Sequence, residues 1–238
     1  MSRIFYDFHI HSCLSPCGDN DMTPANIAGM AFVNGLQAIA LTDHNTTKNC
    51  EALKAAAEQY KITVLFGMEL TTCEEVHVVC LFPNKNCAQK FDKIVSQNLI
   101  KIKNDPGIFG HQYIMDSRDK ILGEEENLLI NATTIDFDSV FDIVKNCGGV
   151  AYPAHIDKNS NSVISNLGFI PLESKFKTAE LNNTSNKKRL ISEYPHLSDC
   201  IILTDSDAHY LENINTAENF LEVDDPSPEG IIEFLRNE

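Results

Sequence analysis

Short apolar segments alternate with helical ones through the first third of the chain, and side chains able to hold metal ions stand at the ends of those segments. Residues 5–11 read as a strand carrying His9 and His11, which are two apart and so point to one face. Thr23, Pro24 and Gly35 then supply the N-cap, first-turn proline and C-terminal stop of an apolar-periodic helix. A second strand, 36–41, runs into Asp43-His44, and the alanine-rich stretch 51–60 reads as a helix. A third strand, 62–66, runs into Gly67-Met68-Glu69, and a fourth, 76–82, has His77 at its start. Strands separated by helices of this length imply βα units and a parallel sheet.

The pattern weakens over 84–131, where a helix at 87–102 precedes an irregular stretch around Pro106-Gly107. We read 84–131 as an elaboration of one domain covering 1–238. Alternation resumes with a helix at 137–146, stopped by Gly148-Gly149, and a strand at 150–154 that ends on His155. Strands follow at 179–182 and 200–204, the second leading to Asp207-Ala208-His209, and Ser227-Pro228-Glu229 starts a last helix. In a barrel of parallel strands the C-terminal strand ends share one rim, where such enzymes do their chemistry. Six of the eight histidines are thereby expected near one spot.

Composition limits the partners. With 43% hydrophobic and 22% charged residues the chain can bury an ordinary globular core. No apolar run is long enough to cross a bilayer, and Met1-Ser2-Arg3-Ile4 leads into a strand without a signal-peptide core, so a cytoplasmic location is expected. The 34 acidic against 19 basic residues give −15, predicted to repel duplex nucleic acid and anionic membranes at long range. Bound cations reverse such a potential locally. Eight cysteines are too sparse for a disulfide scaffold in a chain of this length.

Four motifs stand in order between residues 7 and 209: Asp7-Phe8-His9-Ile10-His11, Leu41-Thr42-Asp43-His44, Pro153-Ala154-His155 and Ser206-Asp207-Ala208-His209. In these the chain resembles the PHP (polymerase and histidinol phosphatase) family of metal-dependent phosphoesterases. The resemblance implies a single-domain α/β fold, an irregular (β/α)7-type barrel that is a distorted relative of the TIM barrel. It also implies two to three divalent ions, with manganese, zinc and iron all suited to such ligands. His9, His11, Glu69 and Asp207 would hold the first, and Glu69 would bridge to a second completed by His77 and His155. Asp19, His44 and His209 would hold the third. The first loop departs from the family pattern, because residues 12–18 insert Cys13, Pro16 and Cys17 before the expected aspartate. Counting back from Thr23-Pro24 favours Asp19, with Asp21 or the Cys17 thiolate as alternatives.

On this assignment three ions contribute about +6 against about −3 from Asp19, Glu69 and Asp207. A metal-bound hydroxide, available because water's pKa falls toward roughly 7, would attack phosphorus. Glu69, Asp207 and His209 are the expected catalytic residues. Asp43 is read as a carboxylate orienting His44, and Asp7 as a second supporting carboxylate. Lys158 is a candidate contact for a substrate phosphate, and His111 and His196 are read as surface residues. Cys13, Cys17 and Cys50 lie in loop-like stretches near the rim. Loop packing is the favoured reading for them and a redox-sensitive metal or thiol site the alternative, with no fourth cysteine to complete a thiolate site. The expected substrate is a phosphate monoester of a small metabolite or nucleotide, with neither duplex nucleic acid nor membrane as partner. The alternatives are a phosphodiesterase trimming short oligonucleotides and a non-catalytic metal- or redox-responsive module. Oligomeric state and native metal stay open.

Overall fold

The computed structural model describes residues 1–237. Strands β1 (Ser2–Ile10), β2 (Ala38–Leu41), β3 (Thr63–Thr71) and β4 (His77–Phe82) come first, with helices α1 (Pro24–Val33) and α2 (Cys50–Ala57) between the first three. Helix α3 (Lys85–Asn98), the short α4 (Pro106–Phe109) and a hairpin of β5 (Tyr113–Met115) and β6 (Ile121–Glu124) occupy the stretch expected to be irregular. Then come α5 (Phe137–Asn146), β7 (Val150–Pro153), α6 (Val163–Leu167), β8 (Thr178–Glu180) and α7 (Lys187–Glu193). The chain closes with β9 (Ile201–Leu203), β10 (Phe220–Val223) and α8 (Pro228–Arg236). Helix α1 starts where expected: the Thr23 side chain accepts from the Asn26 amide, Pro24 opens the first turn, and Gly35 leaves the helix at φ 77°.

The main sheet has the order β10-β1-β2-β3-β4-β7. Strands β1, β2 and β3 are parallel, but β10 on β1, β3 on β4 and β4 on β7 are antiparallel, so the parallel sheet expected from the alternation is in fact mixed. Only residues 72–76 join β3 to β4, too few for a parallel crossover, and the pair closes as a hairpin. Reversal of β4 brings its first residue, His77, opposite Thr71 at the far end of β3. The rim therefore collects the ends of β1, β2, β3 and β7 and the beginning of β4.

Period-two alternation sorts side chains between two cores. Ile39, Leu41, Phe66, Met68, Val78 and Cys80 face the helices, against Ile27, Leu53, Phe91 and Val140. Tyr6, Phe8, Ala38, Ala40, Leu65, Val79, Leu81 and Tyr152 fill the inner face, together with Ile231, Ile232 and Leu235 of α8. Glu69 shares the parity of Leu65, and His77 that of Val79 and Leu81, so both point inward. Strand β1 changes parity: its register on β2 shifts between Asp7 and Ile10, and Ile10 joins the helix-facing core although Phe8 belongs to the inner one. That irregularity frees His9 and His11 for the inner face at the rim.

The ladder of the main sheet stops at β7, and β8 and β9 form a separate parallel pair. The segment after β9 returns to β1 through a parallel bridge between Ile10 and Ala208. The fold is α/β as expected, with a curled half-barrel as its main sheet; among the described residues the ladder does not run on into a continuous seven-stranded barrel. Helix α3 ends at Asn98, short of the expected 102, and β3 continues through Gly67 so that Glu69 lies within the strand. No helix among the described residues is long and apolar enough to cross a membrane.

Candidate metal centre

Glu69, 1% exposed, is ringed by imidazoles. His77 Nδ1 stands 2.8 Å from its Oε1, and His9 Nε2 and His155 Nε2 each stand 3.2 Å from the same oxygen. His44 Nδ1 is 3.1 Å and His11 Nε2 3.4 Å from Oε2. Asp207 Oδ1 lies 3.4 Å from His9 Nε2 and 3.3 Å from His11 Nε2. Lys158 pairs with Oδ2 of Asp207. Every expected ligand except Asp19 thus comes together, from six separate segments of chain.

The loops that present these groups are tightly braced. His155 and Asp207 both adopt left-handed backbone, at φ 31° and 50°, which costs of order 1–3 kcal/mol each and persists only where surroundings hold it. Asp7 does part of that holding: its carboxylate accepts from the amides of Ser206 and Asn215, both at 3.0 Å, tying the 206–215 loop to β1. Burial raises the Asp7 carboxyl to about 6. The expected contact of Asp43 with His44 is not made. Asp43 instead accepts from Ser12 N–H, Ser12 Oγ and Ser15 Oγ, each at 2.7 Å, because the first loop folds back over it. Ser15 Oγ, its proton given to Asp43, accepts from His11 Nδ1 at 3.0 Å and from the His44 amide at 3.2 Å.

These partners decide which ring nitrogen faces the centre. His11 Nδ1–H goes to Ser15, and His209 Nδ1–H goes to the Asp207 carbonyl at 2.8 Å. His9 Nδ1–H goes to Glu180 Oε2 at 2.8 Å, a fully buried carboxylate on β8 that the sequence reading missed. The signal was present: an isolated Glu inside an apolar strand. In each case Nε2 is left as a lone-pair donor. His44 Nδ1 and His155 Nδ1 are buried without a hydrogen-bond partner. This surplus of buried imidazole nitrogens and carboxylates around one space fits divalent cations. Glu180→Gln is expected to weaken cation binding about 10–100-fold with the fold unchanged by circular dichroism. Competition against a chelator measures this, and unaltered affinity removes Glu180 from the centre.

Without cations the site divides its charge. Burial alone would lower His9 and His11, but the carboxylates win: Glu180, Glu69 and Asp207 hold His9 well above the ordinary imidazole range, and bonds to Asp207 and Glu69 raise His11 to about 9. Burial and the neighbouring imidazoles depress His44 strongly and take His209 down to about 4. Glu69 and Asp207 stay ionised despite burial, held low by the surrounding histidines. Cation uptake at neutral pH therefore displaces protons from His9 and His11.

Among the described residues there are three groups whose donor atoms lie within 4.8 Å of one another: His9, His11 and Glu69; His44, Glu69 and His77; and His11, Cys17, His44 and His209. Asp19, expected among the ligands, is exposed, and its carboxylate accepts from the Asp21 amide at 2.8 Å. Cys17 is exposed, and the packed protein around it together with the Glu69 carboxylate pushes its thiol up to about 12 when no cation is near. Cys13 and Cys50 are buried and join no such group among the described residues; the Cys50 thiol donates to the Gly67 carbonyl at 3.4 Å. His111, as expected, is on the surface, stacked on Tyr113 and paired with Glu124. The cluster opens into a pocket of about 100 Å³ lined by His44, Glu69, His77, His155, Lys158, Ser160, Asn161, Asp207 and His209.

A family model described as the PHP domain matches residues 7–167. A 5′-3′ exoribonuclease of Haemophilus influenzae is 29% identical over 101 residues, 41% of this chain and 36% of that one. Among solved structures, the lesion-specific endonuclease Q of Pyrococcus furiosus superposes with a TM-score of 0.70 at 16% identity, over 99% of this chain and 56% of that one. Endonuclease Q in complex with a 27-mer duplex, an abasic lesion at its active site, superposes with a TM-score of 0.66 at 16% identity, over 99% of this chain and 57% of that one. The chain spans little more than half the length of the endonuclease, and the matched stretch about a third of the exoribonuclease. At such identity the structural likeness is one of fold.

That likeness corrects one expectation. A small substrate with duplex nucleic acid excluded was inferred from the charge of −15, yet this same fold is seen with a duplex at its active site. Net charge is a property of the whole surface, and its field is screened within about 8 Å at physiological salt. It does not decide what a rim lined with cation ligands accepts.

Proposed function

Since the chain belongs to the PHP domain family of metal-dependent phosphoesterases, we propose that its rim cluster holds two to three divalent cations and hydrolyses phosphodiester bonds of nucleic-acid strands. The observation that carries this reading is the pocket. At about 100 Å³ it has room for a phosphoryl group, and every residue that lines it carries a polar or ionisable side chain. Sites that enclose a whole small molecule run from about 300 Å³ and are walled mostly by apolar side chains. Sugar and base would lie outside, on the surface around the rim, as they do in a strand. The activities of the exoribonuclease and the endonuclease point the same way.

In this reading His9, His11, Glu69 and Asp207 hold one cation, and Glu69 with His77 and His155 a second. His44 and His209 contribute to a third. When bound, such ions polarise phosphoryl oxygens and lower the pKa of water toward roughly 7. The protein does the rest. Glu180, Ser15 and the Asp207 carbonyl fix the protons of His9, His11 and His209 on Nδ1, so each ring presents Nε2. Lys158, 33% exposed and paired with Asp207, offers its ammonium to a phosphoryl oxygen. Residues 84–131 extend the same domain beside the first loop, where the Tyr113 amide donates to the Cys13 carbonyl at 3.0 Å, and the strand would run against this extension.

The test is elemental analysis of the purified chain followed by assays with manganese, zinc or ferrous iron. Substrates are 5′-phosphorylated RNA and DNA oligomers, single-stranded and duplex, beside mononucleotides and sugar phosphates. Two to three equivalents of metal and release of nucleotides from oligomers, at least about 100-fold faster than phosphate from monoesters, are expected. Turnover of monoesters alone would replace this reading with the monoesterase expected from sequence.

A further inference from the structure

We propose that Cys17 is a thiolate ligand, forming with His44 and His209 a subsite selective for a thiophilic divalent cation, zinc or ferrous iron, over manganese or magnesium. One donor atom from each of these three residues, and one from the adjoining His11, lie within 4.8 Å of one another. The carboxylate expected in this place, that of Asp19, is exposed, accepts from the Asp21 amide and belongs to none of the donor groups among the described residues. Two bonds pin the loop over the rim: Gly18 N–H to the Ser15 carbonyl and Asp19 N–H to the His209 carbonyl, both at 2.9 Å. A Cβ at Gly18 would meet the Ser12 carbonyl oxygen at 2.4 Å, so only glycine lets the loop fold this closely onto the end of β1.

The imidazoles are ready to receive a cation. His44 is 5% exposed, and its Nδ1, 3.1 Å from Glu69 Oε2, makes no hydrogen bond. His209 has committed Nδ1 to a carbonyl, which leaves Nε2. Two imidazoles and a thiolate make a Cys/His donor set of the kind zinc and iron prefer, whereas the neighbouring group built on Glu69 and Asp207 has the mixed nitrogen and oxygen donors that manganese also accepts. The two halves of one centre then differ in metal preference.

This inference rests on the metal-centre reading above, and cobalt(II) separates the two. The full chain, stripped by chelator and reconstituted with cobalt(II), is expected to show a thiolate-to-cobalt charge-transfer band in the near ultraviolet. Cys17→Ser is expected to lose that band and one equivalent of cobalt by elemental analysis, while keeping its far-ultraviolet circular dichroism and the visible bands of the remaining cobalt. Cys17→Asp is expected to regain the lost equivalent with manganese and to show no charge-transfer band with cobalt. Cobalt bound in full by the unaltered chain without the band, or a band that survives Cys17→Ser, overturns the thiolate assignment and leaves the metal-dependent hydrolase standing. A chain that takes up no cobalt overturns both.

Discussion

Replacing Glu69 by alanine is expected to lower turnover at least about 1000-fold and to remove more than one equivalent of metal from the folded chain. Five imidazoles stand within 3.4 Å of its two carboxylate oxygens, so no other side chain touches as much of the centre. A thousandfold loss corresponds to about 4 kcal/mol of transition-state stabilisation, within the several kcal/mol that bound cations supply. Circular dichroism and elemental analysis on the same preparation separate a lost site from a lost fold. Turnover within tenfold of the unaltered chain, with metal content kept, would mean that the chemistry lies elsewhere.

Gly67→Ala is expected to lower the stability of the folded chain substantially. A Cβ there would meet the Leu41 carbonyl oxygen at 2.6 Å, Thr42 Cγ2 at 2.7 Å and Leu81 Cδ2 at 3.1 Å. Two of these belong to the segment that delivers His44, and a backbone oxygen yields less readily than a side-chain end. Forcing β2 and β3 apart here is expected to cost about 3 kcal/mol. In a chain of this size that lowers the melting temperature by roughly 6–12 °C. Gly123→Ala is the control: nothing lies within 4 Å of its added methyl, and a change within about 0.5 kcal/mol is expected. Equal melting temperatures for the two variants would show that the sheet yields at Gly67 without strain.

Much of the centre was legible because ligand chemistry coincides with strand ends. His9 and His11 share parity, and Asp43-His44, His155 and Asp207-His209 each follow an apolar run, so motif and topology point to the same rim. What escaped was decided by geometry that spacing does not encode. Asp19 and Cys17 are two residues apart in a turn, and which of them faces the ligands depends on how Gly18 lets the loop close. Glu180 stands out in the sequence only as a lone acid in an apolar segment, and its partner, His9, is seen only once the chain has folded. The reversal of β4 was readable in principle, since residues 72–76 leave no space for a helix. Strand β10 was not: it is a short edge strand whose residues alternate exposed and buried, set among acidic residues. The partner expectation failed for a different reason, by treating a summed charge as though it acted at one point of the surface.

The ligands come from segments that begin at residue 9 and end at residue 209, and few of them are neighbours in the chain. A cation held by all of them is a cross-link between distant parts of one polypeptide, present only while the ion stays. Occupancy at 100 times the dissociation constant adds about 2.7 kcal/mol to the folded state. The availability of metal would then set the lifetime of the chain against proteolysis as well as its rate of catalysis, and a shortage would remove the protein along with its activity.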